Sequence, residues 1–145
     1  MAAPTGLMKP GELQAIAAEK VNKEVDKDMA RQRMREEEQR KLHQAFLDRD
    51  IHPDVGERVN VALRNAVEQG QHEVMALRFP SDWCTDRGRA INNDDPNWSR
   101  TLDGFAKRAY GYYEANLQPL GYKCRARILD YPNGMPGDVG LFVSW

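Results

Sequence analysis

The chain has 145 residues, with 21 Lys and Arg side chains against 22 Asp and Glu, and its formal net charge is −1. A protein that binds nucleic acid mainly through phosphate contacts is expected to carry an excess of basic residues, which this composition lacks. Two cysteines and no apolar run of signal-peptide or membrane-span length predict a cytoplasmic protein with free thiols and no membrane partner.

The first third of the chain is polar and strongly charged. Turn-forming residues in 1–10 indicate a flexible lead segment. Good helix formers dominate 11–50, where neither Pro nor Gly occurs between Glu12 and Leu47. Several acid–base pairs four residues apart have the favourable acid-first order. We therefore predict a solvated helical arm over 11–50.

Apolar side chains of this arm recur every four residues instead of at heptad spacing. Such a pattern drifts around a helix and does not favour an extended coiled coil. A helix without a partner has no need for this much apolar surface, so we expect the arm to bind a copy of itself or another protein, with folding back on its own domain as the alternative. The residues expected to contact that partner are Leu13, Ile16, Val21, Val25, Leu42, Phe46 and Leu47.

After a hinge predicted at 51–56, residues 57–145 are expected to form one compact domain. Apolar periodicity predicts helices at 57–68 and 98–117, and alternation predicts strands at 72–79, 122–130 and 139–145. In the first strand, alternation places Met75, Leu77 and Phe79 on one face. The fold class is therefore α+β: an N-terminal helical arm followed by an α-β-α-β-β domain with a three-stranded, largely antiparallel sheet. The strand order stays open.

A polar loop at 81–96 is the segment richest in chemically reactive residues. Its candidates for a small enzyme site are Asp82, Cys84, Asp86 and Arg87. A cysteine nucleophile needs a base or a positive field to lower its pKa, and His72 is the one histidine outside the arm and hinge. The alternative is structural: Trp83 closes the end of the core, and Asp94, Asp95 or Asn97 caps the following helix. Their spacing does not fit an EF-hand, and we predict no metal and no cofactor.

Basic residues at 123, 125 and 127 alternate along the second predicted strand. Lys123, Arg125 and Arg127 therefore share one sheet face, which is a candidate surface for single-stranded nucleic acid if aromatic rings lie beside it. An ordinary solvated face, or an edge strand charged against aggregation, gives the same pattern. With no hydrolase or phosphate-binding motif present, the sequence predicts a non-enzymatic protein-interaction module, such as an accessory subunit of a larger assembly.

Overall fold

A computed structural model describes residues 6–145. The architecture is α+β, with a long N-terminal helix and a three-stranded antiparallel sheet. The chain divides into two compact units, Met1–Leu42 and His43–Trp145. Of the flexible lead segment expected at 1–10, residues 1–5 lie outside the described part of the chain. The element bounds are α1 Pro10–Asp48, α2 Val55–Glu68, β1 Glu73–Pro80, α3 Arg89–Asn92, α4 Gly104–Tyr112, β2 Lys123–Ile128 and β3 Asp138–Ser144.

Helix α1 runs without a break through the predicted arm. Pro10 occupies its first position, where a missing N–H leaves no intrahelical hydrogen bond unmade. Glu12 accepts a hydrogen bond from the backbone N–H of Lys9 at 3.2 Å and places a negative charge at the positive end of the helix dipole. Exposed ion pairs follow at Glu19–Lys23 and Glu37–Lys41. No helix within residues 6–145 is long and apolar enough to cross a bilayer.

The boundary between the two units falls inside α1, ahead of the hinge expected at 51–56. The reason is Phe46, which is 8% exposed and packs in the core of the second unit. Its ring lies 4.7 Å from that of Trp83 and 5.4 Å from that of Phe79, centroid to centroid. The last turn of α1 is therefore part of the compact unit.

The sheet has the order β1-β3-β2, with both pairs antiparallel. The C-terminal strand β3 thus lies in the centre, and Val139, Leu141 and Val143 form its buried face. Strand β2 alternates strictly between exposed and half-buried residues, as an edge strand with one solvated face does. The predicted number and direction of the strands are confirmed.

A β-bulge in β1 overturns the expected facing of Met75. Val74 pairs with Val143 and Met75 with Phe142, but the next paired residue is Leu77, opposite Leu141. The extra residue at 76 reverses the alternation, because a one-residue insertion moves every side chain beyond it to the other face. Met75 is accordingly 45% exposed, and Val74 takes the inward position.

The prediction of a single helix at 98–117 is also wrong. The chain forms a 3₁₀ turn at Trp98–Thr101, becomes extended at Leu102, and starts α4 only at Gly104. Leu102 is 3% exposed, so its burial in the core draws the backbone out of the helical path. Asp103, and not Asp94, Asp95 or Asn97, caps α4: its side chain accepts a hydrogen bond from the Gly104 N–H at 2.9 Å.

Candidate functional site

The apolar side chains predicted to bind a partner divide between the two units. In the first unit, Leu13, Ile16, Val21 and Val25 are between 49% and 57% exposed. Leu42 is 60% exposed. All five lie on the solvated surface of α1 and keep the exposure that a docking role requires.

Phe46 and Leu47, also predicted as partner contacts, do not lie on a free surface. Phe46 is a core residue, and Leu47 is partly buried against the start of α4. The carbonyl oxygens of Leu47 and Arg49 each accept a hydrogen bond from Arg108 Nη1 at 2.8 Å. These two apolar side chains therefore stabilise the second unit, and the partner-binding set is corrected to the residues before His43.

The basic face of β2 has the geometry that alternation predicts. Lys123, Arg125 and Arg127 are all exposed and share one side of an edge strand. Glu73 crosses the sheet to meet two of them: Arg127 Nη2 donates to its Oε1 at 2.9 Å, and Arg125 Nη2 lies 3.8 Å from its Oε2. The Arg127 guanidinium also lies 3.9 Å from the centre of the Phe142 ring. The face combines cations with an aromatic ring, but Glu73 neutralises part of its charge.

The loop residues proposed as an enzyme site do not converge. Asp86 accepts hydrogen bonds from the backbone N–H groups of Gly88 and Ala90 at 3.0 and 2.8 Å, so it holds the start of α3. Cys84 is 5% exposed, and burial, together with the charge of Asp86, raises its pKa to about 11. Asp82 and Arg87 point to solvent. A buried, protonated thiol is a poor nucleophile.

His72, the base considered for Cys84, is far from it along the fold. The extended strand β1 separates His72 from the loop, and the backbone carbonyl of His72 accepts from the N–H of Trp145 at the opposite end of the sheet. His43 is the histidine that reaches the loop, and its ring stacks on Trp83 at 5.0 Å between centroids. Trp83 thus closes this end of the core, as the structural interpretation expected.

Sequence patterns did not reveal a cavity of about 330 Å³ inside the second unit. It lies between α2, α4 and the inner face of the sheet, beside the core that surrounds Phe46. Ala62 and Leu63 line it from α2, Ala109 and Tyr110 from α4, and Leu77 and Cys124 from the sheet. Burial raises the pKa of the Cys124 thiol to about 11, so this wall is uncharged at neutral pH.

Two polar side chains that sequence reasoning passed over lie at the edge of this cavity. His52 belongs to the segment before α2, and Arg58 to the first turns of α2; both are exposed. Nothing local in the sequence joins them to the residues of α4, since the cavity forms only when α2 and α4 pack on the same sheet face. His/Cys/Asp/Glu groups able to hold a metal ion are not found among the residues that the structure describes.

Comparisons with known proteins identify no relatives: no family model, curated protein or solved structure matches this chain. Function is therefore inferred from the residues and surfaces of this chain.

Proposed function

We propose that this chain is a protein-interaction module whose arm, residues 10–42, docks by its apolar side chains onto a helix of a second copy or of another protein. In this role it acts as an accessory subunit and not as a catalyst. The observation that carries the proposal is the exposure of Leu13, Ile16, Val21, Val25 and Met29, each about half exposed on one helix.

Four of these five side chains form a ridge of a defined kind. Leu13, Val21, Val25 and Met29 belong to one series spaced by four residues, completed by Ala17. A series with this spacing is the i±4n ridge of helix packing. Two such ridges interdigitate best when the helix axes cross at about −50°, whereas a coiled coil needs a 3.5-residue repeat. We therefore expect a crossed helix contact and not a long parallel seam.

The strength of such a contact follows from its area. Fully burying an aliphatic side chain is worth about 1.5–3 kcal/mol, so burying the exposed half of five of them contributes roughly 5 kcal/mol for each arm. A pair of arms gains roughly 10 kcal/mol before association costs of about 4–15 kcal/mol are subtracted. Self-association should therefore be weak and concentration-dependent. Exposed ion pairs such as Glu19–Lys23 add little energy, but they penalise docking that places like charges together.

The test is light scattering after size exclusion on the full chain across a range of concentrations. Replacing Val21 and Val25 together with Glu is expected to abolish self-association, or capture of a partner if the wild type is monomeric. Met34→Glu is the matched control, because Met34 is 65% exposed on the same helix and lies outside the ridge. Circular dichroism verifies that all variants keep their helix. If the wild type associates with itself or captures a partner, equal association by the double variant would refute the proposal, as would a wild type that does neither.

A further inference from the structure

The cavity between α2, α4 and the sheet has the dimensions of a small-molecule site. Ligand pockets occupy about 300–1,000 Å³, and the volume of about 330 Å³ lies at the lower end of that range. Since a water molecule takes roughly 30 Å³ in the liquid, this space accommodates about ten non-hydrogen atoms. The walls named above are aliphatic and aromatic, so the body of any ligand must be apolar.

One edge of the cavity carries two arginines, and no acidic residue of the described chain lines it with them. The two are Arg49 and Arg58. The Arg49 guanidinium lies 4.1 Å from the centre of the Phe105 ring. Arg58 contacts His52, and none of its contacts within residues 6–145 is a salt bridge with a carboxylate. An apolar space bordered by two arginines favours an anionic ligand group.

The contact between Arg58 and His52 also favours an anionic ligand group at this edge. The Nδ1 of His52 accepts a hydrogen bond from the backbone N–H of Asp54 at 3.0 Å, whereas the Asp54 Oδ2 is 3.9 Å away. His52 Nε2 lies 3.3 Å from Arg58 Nη2, and the tautomer of His52 decides whether Nε2 accepts a hydrogen bond from Arg58. A carboxylate placed beside Arg58 accepts hydrogen bonds from its guanidinium.

Two backbone irregularities also border this cavity. The bulge at Ala76 in β1 and the π-helical turn at Tyr113–Leu117 after α4 both contribute lining residues. Bulges and π-turns interrupt regular hydrogen bonding and occur frequently at functional sites. Their coincidence at one cavity is independent of its charge.

We propose that this cavity binds a small amphipathic monocarboxylate, with its apolar body against Ala62, Ala109 and Leu77 and its carboxylate beside Arg58 at the cavity edge. The size corresponds to a medium-chain aliphatic acid or a single-ring aromatic acid. This binding site is separate from the arm and does not depend on the proposed docking function.

Octanoate, which has ten non-hydrogen atoms, is the probe. Titration of the full chain is followed by calorimetry and by amide chemical shifts, and a ligand of this size should bind with a dissociation constant below about 1 mM. Shifts are expected around Ala109 and Leu77. Octylammonium, with a similar chain and the opposite charge, should bind at least about tenfold more weakly.

Variants of the chain test the charge of Arg58 and the volume of the cavity separately. Arg58→Gln should weaken octanoate binding about tenfold, whereas Arg64→Gln, on the same helix but outside this cavity, should leave it unchanged. Ala62→Leu or Ala109→Leu should fill the space and abolish binding. The proposal is overturned if octanoate produces no shifts at these residues at about ten times that dissociation constant, if octylammonium binds equally well, or if both arginine variants behave alike.

Discussion

Replacing Gly104 with Ala is expected to destabilise the second unit, even though Ala is the better helix former. Gly104 is the first residue of α4, and its φ of +55° lies in the left-handed region that residues with a Cβ rarely adopt. A Cβ built at this position lies 2.8 Å from Leu47 Cα and 3.0 Å from the carbonyl oxygen of Phe46. Both are backbone atoms, which cannot rotate away, so the end of α1 or the start of α4 must shift.

Three free-energy terms decide whether Gly104→Ala stabilises or destabilises the protein. Placing a non-glycine residue in the left-handed region costs about 1–2 kcal/mol. Inserting a methyl group into packed backbone costs about 1–3 kcal/mol. The helix propensity of Ala returns at most about 1 kcal/mol. We therefore expect Gly104→Ala to lower the free energy of unfolding by about 1–4 kcal/mol, which lowers Tm by roughly 4–8 °C per kcal/mol for a domain of this size.

Gly111→Ala provides the matched control in the same helix. Gly111 does not have a positive φ, and a Cβ built there has no neighbour within 4 Å beyond the helix's own backbone. This substitution should raise the free energy of unfolding by about 0.5–1 kcal/mol. The assay is urea unfolding followed by tryptophan fluorescence, which reports on Trp83 beside Phe46. Similar m-values in all three proteins show that the comparison concerns stability alone.

The two substitutions must therefore move stability in opposite directions. If Gly104→Ala matched Gly111→Ala, or stabilised the protein, the close approach of α4 to the end of α1 would be refuted, and with it the assignment of Phe46 to the core of the second unit.

Three further outcomes are expected. Arg108→Gln removes two hydrogen bonds to carbonyl groups at the end of α1 and should cost about 1–2 kcal/mol in the same urea assay, with Lys107→Gln unchanged. Cys84 and Cys124 have pKa values raised to about 11, so both thiols should react slowly with a disulfide reagent at pH 8 in the folded protein and quickly in urea. The ordinary thiol pKa is 9.0, so the contribution of these thiols to stability is complete below pH 9.0 and is lost as the pH rises to about 11. Glu73→Gln frees the two arginines of β2 and should strengthen salt-sensitive binding of a single-stranded oligonucleotide, and an unchanged affinity would count against a nucleic-acid role for that face.

The α+β class and the three strands could be predicted from the sequence because local signals agree there. The strands alternate, and the turn formers around Asn133 and Gly134 separate β2 from β3. The position of β3 in the centre could not be predicted, since it depends on which edges find partners after the chain has collapsed. The break before α4 did leave a local signal: Asp103-Gly104 is a turn-forming pair. Burial of Leu102 explains why the chain turns at this pair instead of continuing as a helix.

Phe46 illustrates a different limit. An apolar side chain near the end of a charged helix has the same sequence pattern whether it packs against its own domain or against a partner. The deciding contacts are with Phe79, Trp83 and Phe105, which lie far along the chain. The same reasoning explains why the cavity was missed, because its walls come from elements brought together only by tertiary packing.

The departures from local sequence rules are themselves informative. Strand alternation fails at Ala76, and helical geometry gives way to a π-turn at Tyr113–Leu117. A sequence that specifies one fold normally satisfies local and tertiary preferences together, and exceptions are expected mainly where structure serves function. Both of these exceptions border the cavity that Arg58 lines, whereas the pairing of β2 with β3 shows no register shift. The irregular backbone and the charge of Arg58 thus support a binding site at the same place on independent physical grounds.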